Sequence, residues 1–121
     1  MNTDDSALTN LTEVTVSDFL KVDIRVGTIL AAQENLKARQ PAYVLRIDFG
    51  QLGQKISSAQ ITQNYSKEEL IGKQIIAVVN FPPKRVAGIM SEVLVLAAVS
   101  KTHGTVLLEP NSFVENGTRV N

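Results

Sequence analysis

Asp23-Ile24-Arg25-Val26-Gly27-Thr28-Ile29-Leu30 is the stretch in which the hydrophobic period of this chain changes from helical spacing to two. Ile24, Val26, Thr28 and Leu30 fall on one side of an extended chain, and Asp23, Arg25 and Gly27 on the other. Glycine inside a strand packs nothing, so Gly27 predicts a bulge or bend of the kind a small curled barrel needs. Immediately upstream, Val16, Phe19 and Leu20 share one face of a short helix. Thr15 can cap it, with Asp18 three residues on in a box-like position. A helix this brief is not stable alone and must dock on something.

Downstream, a polar connection over residues 34–41 leads to a second alternating segment. There Leu45, Ile47 and Phe49 oppose Val44, Arg46 and Asp48. Residues 50–54 predict a tight turn, and Lys55 to Ile61 a third strand with a small, polar face. Ser66-Lys67-Glu68-Glu69 forms a capping box, because the Ser66 hydroxyl and the Glu69 carboxylate can each satisfy an orphan amide. That helix closes at Gly72. The apolar run Ile75 to Val79 reads as a strand buried on both faces. Phe81-Pro82-Pro83 ends it, since consecutive prolines remove ladder donors. A second apolar run spans Val93 to Val99, a turn falls at His103-Gly104, and Val106 to Leu108 makes a last core strand. Asn116-Gly117 predicts a hairpin turn near the C-terminus.

Strand-strand-strand-helix-strand-strand is the order of a five-stranded OB-fold β-barrel, an all-β class with short helices. An SH3-like barrel or a sandwich leaves a similar pattern. Two strands apolar on both faces exceed what a small barrel interior uses, so the excess predicts a homodimer interface. Cover by the short helices is the competing assignment.

The 121 residues suit one domain, expected over 14–121 behind a flexible, polar leader over 1–13. Basic and acidic residues balance at 12 each, whereas proteins that coat nucleic acid indiscriminately are strongly basic. Any RNA contact must therefore come from a local patch or from shape. Cysteine is absent, which excludes disulfides, thiol catalysis and thiolate metal sites. No basic-then-apolar signal opens the chain, and no run approaches the ~20 apolar residues of a membrane span. The expectation is a cytoplasmic protein without membrane insertion.

Catalytic chemistry finds little support. The sole histidine, His103, sits in a turn without the context of a nucleophile and an orienting group. One histidine and no cysteine do not make a zinc site, and no phosphate-cradling glycine loop occurs. Asp48 and Glu92 stand out as carboxylates within apolar segments, where a hydrogen bond to backbone or to a basic neighbour is the ordinary reason. No enzyme, metal or cofactor is expected.

Binding residues are easier to nominate. Residues 80–93 join the two most apolar runs and so must emerge at the barrel rim. Their prolines lower the ordering cost of binding, and Phe81 offers a flat face for a base or an apolar side chain. Lys84 and Arg85 supply cations for phosphate, and Met90 is adaptable surface. The competing assignment has Phe81 and Met90 filling the core while Lys84 and Arg85 are merely solvated. A second candidate is the third strand, where Ser58 and Gln60 leave room for a ligand against the barrel face; an ordinary solvent face is the competing assignment. Lys37 and Arg39, in the loop after the first strand, flank the usual OB binding face.

Residues 18–29, Asp18-Phe19-Leu20-Lys21-Val22-Asp23-Ile24-Arg25-Val26-Gly27-Thr28-Ile29, resemble the opening of the tRNA-binding domain found beside some methionyl- and phenylalanyl-tRNA synthetases. Ser57-Ser58-Ala59-Gln60-Ile61-Thr62, then Lys73 to Pro83, then Ser91-Glu92-Val93-Leu94-Val95-Leu96 are similar to the small free-standing CsaA proteins of that family. The likeness is collinear over residues 18 to 120. It implies an OB-fold homodimer with terminal extensions at its interface, a tRNA-binding-type surface and a role as an export-related chaperone. By that route Asn80, Phe81, Lys84, Arg85, Ser91 and Glu92 match the rim motif, and Ser58 and Gln60 the third-strand motif. Synthetase-appended members carry a more basic loop ending in Arg-Gly, where this chain has Val86-Ala87-Gly88. The missing cation leaves room for peptide, so unfolded or precursor polypeptide and tRNA are the two partners implied.

Overall fold

A computed structural model describes residues 12–121, and the expected leader falls almost wholly outside them. Helix α1 (Val16–Leu20) precedes strands β1 (Ile24–Glu34), β2 (Tyr43–Asp48) and β3 (Gln54–Ala59). Helix α2 (Lys67–Leu70) and strand β4 (Gln74–Val78) follow, then β5 (Lys84–Val86), β6 (Ile89–Ser91) and β7 (Leu94–Val95). Strands β8 (Ala97–Ser100), β9 (Gly104–Leu107) and β10 (Arg119–Val120) complete the chain. Antiparallel neighbours run β3-β2-β1-β4-β7, with β10 added to the start of β1. The result is the OB-type barrel, its interior filled by Ile29, Leu45, Ile47, Phe49, Leu70, Ile75 and Ala77. No helix among the described residues is long and apolar enough to cross a membrane.

Strand β1 behaves differently from its alternation. Its register with β2 shifts between Ile29 and Ala31, so the bulge sits at Leu30 and not at Gly27. Gly27 is required for another reason. A Cβ there would lie 2.7 Å from both Ile47 Cγ2 and Phe49 Cε1, so these core side chains fill the space a methyl would take. Gly27 and Ile29 therefore look into the barrel, whereas Ile24 and Val26 are buried on its outer side. The C-terminal segment covers them: Val26 N–H donates to the Thr118 carbonyl and Gly117 N–H to the Val26 carbonyl. Thr28 Oγ1 and Gln74 Nε2 both donate to Asn116 Oδ1, at 2.6 and 3.2 Å, which pins that segment across β1 and β4. Asn116-Gly117 thus turns the chain onto β1 instead of closing a hairpin of its own.

The barrel closes between β3 and the segment joining β6 to β7, without a continuous backbone ladder. Glu92 N–H donates to the Ile56 carbonyl at 2.7 Å, and its Oε1 accepts from Ile56 N–H at 2.9 Å. Ser58 N–H donates to Ser91 Oγ, and the buried Ser57 hydroxyl donates to the Val93 carbonyl. Beyond this seam the apolar run 93–99 does not stay inside. Only Val93 is buried, while Leu94 is 50% and Val99 78% exposed. Leu96 donates its N–H to Ile76 and accepts Leu108 N–H at its carbonyl, which diverts the run into the β8–β9 hairpin. Of the expected last core strand, only Leu107 is buried.

Helix α1 is capped as expected, Thr15 Oγ1 accepting from Asp18 N–H, but buries none of its residues. Polar contacts at its end hold it: Arg119 Nη2 donates to the Leu20 carbonyl and Asn80 Nδ2 to the Lys21 carbonyl. The α2 capping box has both of its bonds, at 2.6 and 3.2 Å.

Two stability measurements check this packing. Gly27→Ala should cost about 1–3 kcal/mol of unfolding free energy through overpacking, read as a lower urea midpoint with an unchanged slope. Glu92→Ala should cost about 1–3 kcal/mol by orphaning Ile56 N–H, with Glu92→Gln, which keeps an acceptor oxygen, costing less.

Candidate functional site

The rim segment is a structured hairpin. After the Pro82-Pro83 elbow, β5 and β6 pair through Lys84–Ser91, Arg85–Met90 and Val86–Ile89 around a two-residue turn at Ala87-Gly88. Both turn residues have positive φ, 47° and 87°, as a turn that follows strand twist requires. Alanine is a poor residue for that conformation, and Ala87 stands where the Asn or Asp of the usual hairpin signal would be.

Directly paired residues share a face of the ribbon. Lys84, Val86 and Ser91 therefore lie on one side, and Arg85 and Met90 on the other. The first side looks toward β3 across a cleft of about 290 Å³. Phe81, Pro82, Lys84 and Val86 form one wall, and Ser58, Ser91, Val93 and Leu94 line the rest. Phe81 is 47% exposed and Met90 46%, so neither fills the core. A second groove of about 440 Å³ shares Ser58 and Leu94 with the cleft and continues past Gln60, Val95, Ala97 and Val99. No ionisable side chain lines it.

Other nominated residues have structural duties. Asn80 Oδ1 accepts from Asp23 N–H while its Nδ2 donates to the Lys21 carbonyl, so its amide is engaged in joining α1 to β1. Ser91 and Glu92 line the cleft but their polar atoms close the barrel. Glu92 and Asp48, which accepts from Gly50 N–H at 2.8 Å, both serve backbone amides, the ordinary reason for carboxylates in apolar segments. His103 is exposed in its turn.

Lys37 and Arg39 are exposed in the connection between β1 and β2. Lys37 reaches the hairpin, its Cδ 2.9 Å from where a Gly88 Cβ would stand. Arg46 is a cation the sequence reading placed outward without nominating. It lies on the outer face of β2, paired with Ile56, two residues from the Val44 that pairs with Ser58. Among the described residues, Lys37, Arg39, Arg46, Lys84 and Arg85 have no carboxylate partner; the ion pairs fall elsewhere, at Asp18, Asp23 and Glu109.

Comparison with known proteins fits this geometry. Residues 24–119 match the family described as "Putative tRNA binding domain". The methionine–tRNA ligases of Porphyromonas gingivalis and Archaeoglobus fulgidus are 38% and 40% identical over 108 residues, 89% of this chain. The chain spans only 16% of the length of those ligases. The crystal structure of chaperone CsaA from Bacillus anthracis is 55% identical, with a TM-score of 0.86, over 91% of this chain and 100% of that one. The CsaA chaperone protein of Picrophilus torridus is 52% identical, with a TM-score of 0.85, over 90% of this chain and 100% of that one. With the barrel, the rim hairpin and these likenesses together, the chain belongs to the tRNA-binding-domain family, in its small CsaA-type branch.

Proposed function

We propose that this protein is a cytoplasmic, CsaA-like molecular chaperone, a homodimer whose rim clefts hold extended, unfolded polypeptide, including secretory precursors, without catalysing a reaction. The observation that carries this reading is the cleft itself, where half-exposed Phe81 and Leu94 face a lining that continues into an uncharged groove. Apolar side chains kept in contact with water offer burial to an unfolded chain, worth roughly 25 cal/mol per Å² removed from water. The proline elbow lowers the ordering cost, and Ser58 is small enough to leave room for a ligand backbone. The homodimer is supported by Val16, Phe19 and Leu20, an apolar helix face of which the described residues leave Val16 exposed and Phe19 and Leu20 half-exposed. Phe81→Ala should weaken binding of an unfolded secretory precursor by about tenfold, the scale of an aromatic anchor worth about 1.4 kcal/mol. Undiminished affinity in that variant would remove the cleft from consideration.

A second reading, recognition of tRNA by shape, is favoured by the unpaired cations Lys37, Arg39, Arg46, Lys84 and Arg85 around the same rim. Each neutralised phosphate contributes about −0.7 to −0.9 to the salt dependence of binding. Lys84→Ala with Arg85→Ala should make that slope shallower by roughly 1.4–1.8, measured with tRNA over a series of salt concentrations. Because Lys84 borders the apolar cleft, tRNA and unfolded polypeptide should compete, and simultaneous saturation by both would separate the two sites.

A further inference from the structure

We infer that Asn35 is a positioning residue that locks the Lys37 loop to the tip of the β5–β6 hairpin, so that the cations of both segments meet one RNA backbone as a single unit. This rests on the tRNA reading above and adds to it how two loops distant in sequence act together.

Asn35 uses all of its polar groups. Its N–H donates to the Ala42 carbonyl and its own carbonyl accepts Ala38 N–H, which closes the base of the loop. Its Oδ1 accepts Lys37 N–H at 3.1 Å, a local turn that fixes where the lysine leaves the backbone. Its Nδ2 reaches across to the Ala87 carbonyl at 3.4 Å, a long bond that joins loop to hairpin. The hairpin answers at the adjacent residue. Gly88 presents no side chain, and the Lys37 stem crosses the space a methyl would occupy. Ala87 is the non-glycine residue held at positive φ among those described, and such strain persists where surrounding contacts over-determine it.

The arrangement has an electrostatic consequence. A lysine whose stem is already laid on a surface has less rotamer freedom to lose when its ammonium meets phosphate. Lys84 and Arg85 sit three and two residues before the tip, within about 10 Å of it at the ~3.3 Å rise of a strand. Were the loop free, Lys37 would sample much of the solvent around it and contribute little to binding. Held at Gly88, it adds a third cation at the tip of the hairpin that carries Lys84 and Arg85.

The test is binding of unfractionated tRNA to the full chain over a series of salt concentrations, with hydrogen exchange at residues 84–91 measured in parallel on the free protein. Asn35→Ala should make the salt slope shallower by about 0.7–0.9, as should Lys37→Ala, and the double variant should go no further. Hydrogen exchange at Val86 and Ile89, the pair that flanks the turn, should quicken in Asn35→Ala and in Lys37→Ala. Lys37→Met, which keeps the stem and loses the charge, should lower the slope yet leave exchange as in the parent; it tests the packing even where Asn35→Ala does not fold. An unchanged slope and unchanged exchange in Asn35→Ala, with normal tRNA binding by the parent, would overturn the inference and leave the tRNA reading standing. No tRNA binding by the parent chain would instead sink the reading itself, and this inference with it.

Discussion

The barrel depends on one reciprocal contact, in which Glu92 gives its N–H to the Ile56 carbonyl and takes the Ile56 N–H on its carboxylate. Strands β1 to β4 pair through ordinary antiparallel ladders, but β3 and β7 do not meet in one. Without a substitute, the edge of β3 would hold unmet backbone groups beside the core, each costing as much as a lost hydrogen bond. Glu92 supplies that substitute, with Ser57 and Ser91 extending it along the seam. Because a side chain and not a strand does the closing, the residues before it are free to leave the sheet. They form the elbow and hairpin that stand over β3.

The closure and the cleft are therefore built from the same few residues. Phe81 and Lys84 project into the cleft from the hairpin side, while Ser58, Ser91 and Glu92 border it from the seam. The cleft exists because the hairpin is tethered at its far end by Glu92 and at its near end by Asn80, whose amide joins α1 to β1. Its geometry is inherited from the barrel and requires no ligand to form it.

Much of this was legible in the sequence where local pattern and tertiary environment agree. The alternation of Leu45, Ile47 and Phe49 marks the core face of β2, and all three are fully buried. The Ser66–Glu69 box and the proline stop are local chemistry and appear as expected. Legibility failed where a distant partner decides. Gly27 is small because Ile47 and Phe49, two strands' worth of sequence away, occupy its side-chain space. The apolar run after Val93 reads as a buried strand, yet bonds from Leu96 to Ile76 and Leu108 carry it outward. At the rim, exposed Phe81, Lys84 and Met90 stand where composition put them, but the split of Lys84 and Arg85 onto opposite faces follows from hairpin register alone. Asn80 and Glu92 matched a recognition motif, and their polar atoms turn out to be occupied by the fold.

A latch made from one side chain has a fixed reach. Aspartate at position 92 would fall short of the Ile56 N–H by a methylene, so the latch depends on the length of the glutamate. Phe81, Lys84 and Arg85, a few residues earlier, hold nothing shut. Substitutions within one short segment can thus change the chemistry of the rim while the architecture stays put.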